Sequence, residues 1–265
     1  MSEPDLPRIT IVTPCLNGAA TLPRALESVR AHSYRGKVEH VVVDGGSTDG
    51  TLEILQRAGV RYVSEPDRGL SDAVNKGIRL AQGEIIGWLN ADDVYLPGAL
   101  EAVGHAFARN AEATWATGPC MIIDADGNEI RKAVTAYKSF FLRHYSYRLH
   151  LVQNFVSCPS TFVRRSAFER IGLLDERFAY SMDYDLWLRL GRLSPPLVLD
   201  QTLAAFRMAP GSLSMSGFER QFVEHAQNAR EHGAGHPFAV TANRATSRLI
   251  VLVYRLLRWL RARTA

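Results

Sequence analysis

Cysteine is scarce in this chain and scattered. Cys15, Cys120 and Cys158 are its 3 thiols, and no two of them form a CxxC pair. That excludes a disulfide framework and a thiolate zinc site, and it suits a reducing cytosol. Long apolar runs are missing as well. No stretch approaches the roughly eighteen apolar residues of a membrane span. The leading residues MSEPDLPR have no apolar core, so a chain without a signal peptide is expected. Neither GxGxxG nor GxxxxGK[ST] occurs, so the usual dinucleotide fold and the P-loop are unsupported. GxSxG and HExxH are absent too.

What is present is ordinary globular protein. The 265 residues are 46% hydrophobic, 22% charged and 9% aromatic, which fits neither a disordered nor a fibrous chain. That length supports a substantial core in one or two domains. A formal net charge of +4 is a weak argument for nucleic acid, and none is expected as a partner. The basic character is terminal: Ala242 to Ala265 holds six arginines, no lysine and no acid, and the rest is near neutral.

Strand and helix signals alternate over the first ninety or so residues. Arg8 to Thr13 reads as a strand, and the stretch from Thr21 as a helix with proline in its first turn. His40 to Val43 is an apolar strand ending at Asp44. The turn Gly45-Gly46-Ser47-Thr48-Asp49-Gly50 then leads to a helix that Gly59 stops. Val60 to Val63 and Glu84 to Leu89 are further strands, with a helix from Ser71 between them. Such βα units imply a mostly parallel sheet covered on both faces, with ligands beyond the strands' carboxyl ends. Asp44 and the pair Asp92-Asp93 both fall there. Beyond them, Pro97 to Arg109 reads as a helix. Ala113 to Ile123 and Pro196 to Phe206 each read as one strand, and Tyr137 to Asn154 resists assignment.

Adjacent carboxylates at a strand terminus cannot both be desolvated without a cation or strong donors. Oxygen-only ligands suit Mg²⁺ or Mn²⁺, which commonly bridge a carboxylate to a diphosphate. The plain alternative is a solvated turn, Asn90-Ala91-Asp92-Asp93, ahead of the helix.

Four segments occur in order: Thr13-Pro14-Cys15-Leu16-Asn17, Val43 to Thr51 (VDGGSTDGT), Glu65 to Gly77 (EPDRGLSDAVNKG) and Gly87 to Asp93 (GWLNADD). Together they closely resemble the family 2 glycosyltransferases, inverting enzymes of the GT-A fold that use nucleotide-diphospho-sugars. Pro159 to Gly172 and Met182 to Leu190 look like the family's acceptor-side segments, so the resemblance spans roughly Arg8 to Ser214. It implies a catalytic domain over 1–214, with a nucleotide-sugar half at about 8–123 and an acceptor half at about 124–214. A helical C-terminal extension over 215–265 would follow.

Roles then carry over by position. Asp44 matches the aspartate that accepts a hydrogen bond from the base, which works for uracil or thymine N3–H and guanine N1–H but not for cytosine. Its alternative is to cap the turn with Ser47. Pro14 and Asn17 shape the nucleotide wall, and Asp49 caps the next helix. Asp67, Arg68 and Asp72 lie in the segment passing near nucleotide and sugar. Arg68 either offsets diphosphate charge or forms a surface salt bridge, and Asn75 and Lys76 read as ordinary exposed residues. The resemblance puts the metal, Mn²⁺ or Mg²⁺, on Asp93, and Asp92 on the ribose or the metal's water shell. Asp183 matches the catalytic base, with Asp185 its competitor. If Asp183 only caps its helix, Asp185 would be exposed in the first turn. Many relatives carry a metal- or diphosphate-holding histidine where this chain has Ala209.

The implied activity is transfer of a hexosyl or N-acetylhexosaminyl group from a UDP- or dTDP-type donor to a hydroxyl of a glycan or lipid-linked acceptor. It would proceed by single displacement with inversion, in polysaccharide or cell-envelope synthesis. The alternatives are a nucleotidyltransferase of similar architecture, for which the loop Cys15 to Ala20 is poor in cations, and an inactive sugar-nucleotide binder. In the tail, Leu249, Ile250, Val253, Leu256, Leu257 and Leu260 share a helical face, and Arg248, Arg255 and Arg258 lie opposite. Arg255 and Arg258 break the run too early for a span, so a helix lying in the interface is the membrane option. Near anionic lipid each basic residue is worth about 1 kcal/mol. That would make the enzyme cytoplasmic and peripheral on the inner face of the cell membrane. The alternative is a helix docked on the catalytic domain or on a second copy in a homodimer.

Overall fold

The computed structural model describes residues 5–208 and 217–264, with side chains through Leu256. Ala209 therefore lies outside the described residues, as do the side chains of Leu257, Arg258 and Leu260.

The chain opens with β1 (Ile9–Cys15), α1 (Leu22–Arg30), β2 (Val38–Asp44), α2 (Thr51–Ala58), β3 (Arg61–Ser64), α3 (Leu70–Leu80) and β4 (Ile85–Trp88). β1 pairs in parallel with both β2 and β4, and β2 with β3, so the expected parallel sheet is there. Every residue of β1 is buried, as in a parallel strand covered on both faces, and the hydroxyls of its Thr10 and Thr13 are bonded to Glu39 and His40. α1 carries Pro23 in its first turn and buries Leu22, Ala25, Leu26 and Val29, a period matching one helical face. Gly59 ends α2 at φ +62°, a left-handed conformation that glycine adopts without steric penalty. α3 lies tight on the sheet because Gly77 leaves no Cβ to strike Val12.

The second half adds β5 (Val94–Tyr95), α4 (Ala99–Arg109), β6 (Trp115–Thr117), β7 (Cys120–Ile123), β8 (Glu129–Ile130), α5 (Lys132–Arg143) and α6 (Tyr147–Val152). β9 (Thr161–Arg164), α7 (Arg165–Ile171), α8 (Met182–Leu193), β10 (Leu197–Val198) and β11 (Ala204–Arg207) follow. The main sheet has seven strands in the order β10-β6-β9-β4-β1-β2-β3, with β9 alone antiparallel to its neighbours. A four-stranded sheet, β5-β11-β7-β8, stands beside it.

Two expected strands are each broken in two, and for one reason. Ala113 to Ile123 splits into β6 and β7, and Pro196 to Phe206 into β10 and β11, because at each the chain leaves the main sheet for the second one, as it also does between β4 and β5. At the first break Gly118 packs its backbone against Leu203, and Pro119 brings no N–H for a ladder. The stretch 137–154 that resisted assignment is the end of α5 and all of α6. Between these helices and the sheet, Trp115 and Trp187 stack with centroids 6.1 Å apart in a core with Phe155, Phe168 and Leu190.

The extension is helical: α9 (Phe218–His232) and α10 (Pro237–Thr264). α10 docks through buried Asn243, whose Nδ2 donates to the carbonyls of Leu151 and Val152 at 3.0 and 3.1 Å.

Candidate active site

The loops after β1 and β2 are stitched together before any ligand arrives. Asn17 adopts the left-handed conformation at φ +51°. Its N–H donates to Ser47 Oγ at 2.7 Å, and its Oδ1 accepts from the Thr48 N–H at 2.9 Å. Asp49 caps α2 through the Thr51 hydroxyl and N–H, at 2.6 and 3.1 Å, and also accepts from the Ala19 N–H. Pro14 sits in β1 opposite Val43, so the first two of the four motif segments lie side by side.

Asp44 is fully buried, and its own chain already supplies four donors. These are the N–H groups of Gly46 and Ser47, the Ser64 hydroxyl at 2.7 Å and the Ser47 hydroxyl. This is the turn-capping arrangement. The carboxylate above that turn is Asp67, whose Oδ1 accepts from the Gly69 N–H while Oδ2 lies over Gly45, so close that no Cβ would fit there. Glycine at 45 thus leaves room for Asp67, a relation between distant segments that the sequence does not advertise.

Arg68 is engaged with carboxylates of its own chain. It forks onto Glu176 and reaches Asp72 at 3.0 Å, the surface ion pair that was the alternative. The Arg68 N–H, with Lys76 and the Arg68 guanidinium, holds Asp72 below the usual carboxylate range. Asn75 corrects the sequence expectation: it is buried and clamps the Leu174 backbone through both its amide nitrogen (3.0 Å) and oxygen (2.9 Å). Lys76 is half-buried among Glu65, the Pro66 carbonyl and Asp72.

The acidic turn follows β4. Asp93 is 0% exposed; its Oδ1 accepts from the Arg207 N–H at 2.9 Å and its Oδ2 from the Asn90 amide at 3.1 Å. Asp92, beside it, is half-buried. Arg207, buried itself, gives its guanidinium to the carbonyls of Asp92, Asp124 and Ala125. It therefore fastens the turn without pairing directly with either carboxylate. Burial pushes the Asp92 and Asp93 carboxyls up, and the Asp92 charge adds to the rise at Asp93. Among the described residues no Lys or Arg side chain forms an ion pair with either. A turn this short of positive charge, with oxygen donors alone, fits a hard divalent ion. No set of three or more His, Cys, Asp and Glu is grouped for a metal among the described residues, so an ion there would draw most ligands from substrate and water.

Asp183, in the first turn of α8, lines a cavity of about 100 Å³ with Trp88, Asn90, Cys158, Met182 and Gln221. Trp88 Nε1 donates to Asn90 Oδ1 at 2.8 Å, which joins this cavity to the acidic turn. The Cys158 thiol is pushed up by burial and then by the charges of Asp183 and Asp93. Burial raises the Asp183 carboxyl, and the Tyr184 N–H, Lys138 and Asn154 only partly offset this. Lys138, from the stretch the sequence left unassigned, donates to Ser157 Oγ at 3.1 Å, and burial pushes its ammonium down. Glu224 of α9 receives the N–H groups of Ala179, Tyr180 and Ser181, fixing the loop that delivers Asp183. Neither Lys138 nor Glu224 carries a motif signal.

Asp185 points elsewhere. It is buried, with Arg189 at 2.6 Å and His232 Nε2 at 2.7 Å. Burial alone would raise its carboxyl, but those partners more than offset it and hold it below the usual range. A depressed folded value means stability that is present above the unfolded carboxylate's pKa and lost as pH falls through the folded one. Asp185→Asn should accordingly lower stability by about 3 kcal/mol near neutral pH, by stranding two buried partners. Urea unfolding at pH 7 and again below pH 3 checks this, and the gap between wild type and variant should close at the acid end.

Residues 10–172 match the model of Glycosyl transferase family 2. An uncharacterized glycosyltransferase of Rickettsia conorii is 27% identical over 221 residues, 80% of this chain but 36% of its own, so this chain spans about a third of that relative's length. Among solved structures, residues 1–349 of Staphylococcus aureus TarS, crystallised with UDP-GlcNAc, superpose with a TM-score of 0.63 at 16% identity, covering 83% of this chain and 66% of that one. A mannosyltransferase of Pyrobaculum calidifontis, with GDP-Man and Mn²⁺, gives 0.62 at 21% identity over 90% and 69%. The GT-A architecture expected from the sequence is the one observed.

Proposed function

The chain belongs to glycosyltransferase family 2, and from that membership we propose that it moves a sugar from a nucleoside-diphospho-sugar, UDP-linked by preference, to an acceptor hydroxyl with inversion. The observation that carries this reading is the shared cleft: Asp183 and Asn90 line one cavity, and Asn90 is bonded into the acidic turn. A carboxylate facing a leaving diphosphate across a few ångströms is what single displacement needs.

In this reading Asp183 takes the proton of the acceptor hydroxyl as its oxygen attacks the anomeric carbon from the face opposite the diphosphate. The electron pair of the breaking bond passes to the β-phosphate. The elevated Asp183 carboxyl suits the task, since a base nearer the operating pH holds the proton more firmly. Arg207 keeps the acidic turn in register from behind. A bound divalent ion would neutralise the departing diphosphate. We place its protein contact on Asp92 rather than Asp93, because the Asp93 oxygens are sealed against Arg207 and Asn90. At the base, buried Asp44 holds the Gly45-Gly46 turn, and the Oδ2 of Asp67 above it is the open acceptor for a uracil N3–H.

The test is product release from a panel of nucleoside-diphospho-sugars with Mn²⁺ present. Free nucleoside diphosphate, with UDP-sugars preferred, is the expected product. Pyrophosphate would instead indicate a nucleotidyltransferase, and no product with retained donor binding would indicate an inactive sugar-nucleotide protein.

A further inference from the structure

α10 is not apolar on one face and polar on the other in the simple sense. Asn243 and Ser247 are buried against the protein, and the Tyr254 ring stacks on Phe218 of α9 at 4.0 Å. A second stripe points away. Leu249, Leu252, Val253 and Leu256 recur at the i, i+3, i+4, i+7 spacing of one helical face and are 60, 64, 46 and 53% exposed. Leu252 also lines an apolar groove of about 610 Å³ between α9 and α10, with Phe222, Val223 and Ala226 on the other wall; Val223 is 70% exposed. The uncovered apolar strip therefore runs across both helices, a larger patch than scattered surface leucines make.

Charge says what covers it. Arg244, Arg248 and Arg255 rim the same groove. Arg255 is paired with Glu219, and among the described residues neither Arg244 nor Arg248 has an ion pair. After Glu231 the sequence contains no acid at all, while six arginines follow. Glu219 is the one carboxylate among the described residues lining the groove and Arg255 already occupies it, so the α10 helix of another copy packed on this strip would bring mainly arginines against arginines. No helix among the described residues is long and apolar enough to cross a membrane. An apolar strip flanked by unpaired arginines is instead the pattern of a helix pair lying in a lipid interface.

We propose that the α9–α10 face docks on an anionic bilayer surface, with the leucines among the acyl chains and the arginines at the phosphates. α9 connects this surface to the chemistry: Gln221 lines the Asp183 cavity and Val223, two residues on, lines the groove. The docking explains how an acceptor carried on lipid would reach the base, but it stands apart from the catalytic reading because vesicle binding needs no turnover.

The experiment is flotation of the full chain with vesicles of equal parts phosphatidylcholine and phosphatidylglycerol, and with pure phosphatidylcholine, at low and high salt. Binding about tenfold or more tighter to the anionic vesicles, weakened by salt, is expected. The combined Leu249→Ser, Leu252→Ser and Leu256→Ser variant should release the protein while keeping its melting midpoint and donor hydrolysis. Arg244→Gln with Arg248→Gln should weaken binding in the same direction. Three outcomes overturn the proposal. These are no flotation at low salt, equal binding to neutral vesicles, and a stable dimer in solution that the serine variant dissociates.

Discussion

Asp183→Asn should lower turnover by about 10²–10⁴-fold while donor affinity changes little, because it preserves shape and removes only the proton acceptor. The substitution is gentle on the fold. Asn keeps an oxygen for the Tyr184 N–H, and no Arg or Lys is stranded in direct contact. The pH profile gives a second handle. The base must be ionised to act, and burial lifts its carboxyl above the ordinary range. Turnover should therefore rise with pH through a value above that of a solvated aspartate, and Asp183→Asn should flatten that limb. Lys138→Met should move the limb further up, since it removes a cation that partly offsets the burial. Single-turnover rates across pH, with donor affinity measured separately, distinguish these outcomes. If Asp185→Asn abolishes transfer in a folded protein and Asp183→Asn does not, the base has been misassigned.

The site was legible in the sequence where chemistry is written at strand ends, and illegible where it depends on what comes to rest beside what. Asp44, Asp92, Asp93 and Asp183 stand out as candidates because each follows an apolar strand or opens a helix within an ordered series of motifs. Their environments do not. Nothing local distinguishes Asp93, sealed by a main-chain N–H from residue 207, from half-buried Asp92 beside it. Asp183 and Asp185 likewise look equivalent until His232, 47 positions later, closes on one of them. Asn75 read as a surface residue because its partner, Leu174, lies 99 positions away. The parallel half of the fold was readable because apolar strands and amphipathic helices alternate there. The strands on either side of Gly118-Pro119 and of Asp200-Gln201-Thr202 were not, since breaks of two or three residues look like irregularities within one strand and do not show that the chain passes from one sheet to the other. The tail was half legible. Its periodicity announced a helix, but one periodic face cannot say that Asn243 and Ser247 make the docked side and the leucines the open one.

The acidic turn should make activity fall about 10³-fold or more in excess chelator, with recovery on adding Mn²⁺ or Mg²⁺, since in the proposed reading a diphosphate leaving beside an acidic turn that forms no ion pair with Lys or Arg among the described residues loses several kcal/mol of charge stabilisation without the ion. Calorimetric donor binding should weaken in parallel. The two aspartates then separate by environment. Asp92→Ala should reproduce the effect of chelation in a protein of near wild-type melting temperature, because among the described residues this half-buried carboxylate bonds no other residue's side chain. Asp93→Ala should do something different: it strands the Arg207 N–H and the Asn90 amide, destabilising the fold by about 1–3 kcal/mol. Asp93→Asn keeps an acceptor for the Arg207 N–H but sets its amide against the Asn90 amide, and it removes a charge that burial already disfavours, so it should cost less stability than Asp93→Ala while retaining the metal response. Full activity in chelator would remove the ion from the mechanism. Loss of metal response in Asp93→Asn, with Asp92→Ala still responsive, would move the ion to Asp93. The protein offers few ligands of its own here, so half-maximal activation should need a metal excess over enzyme, and nucleoside diphosphate should sharpen it by completing the coordination shell.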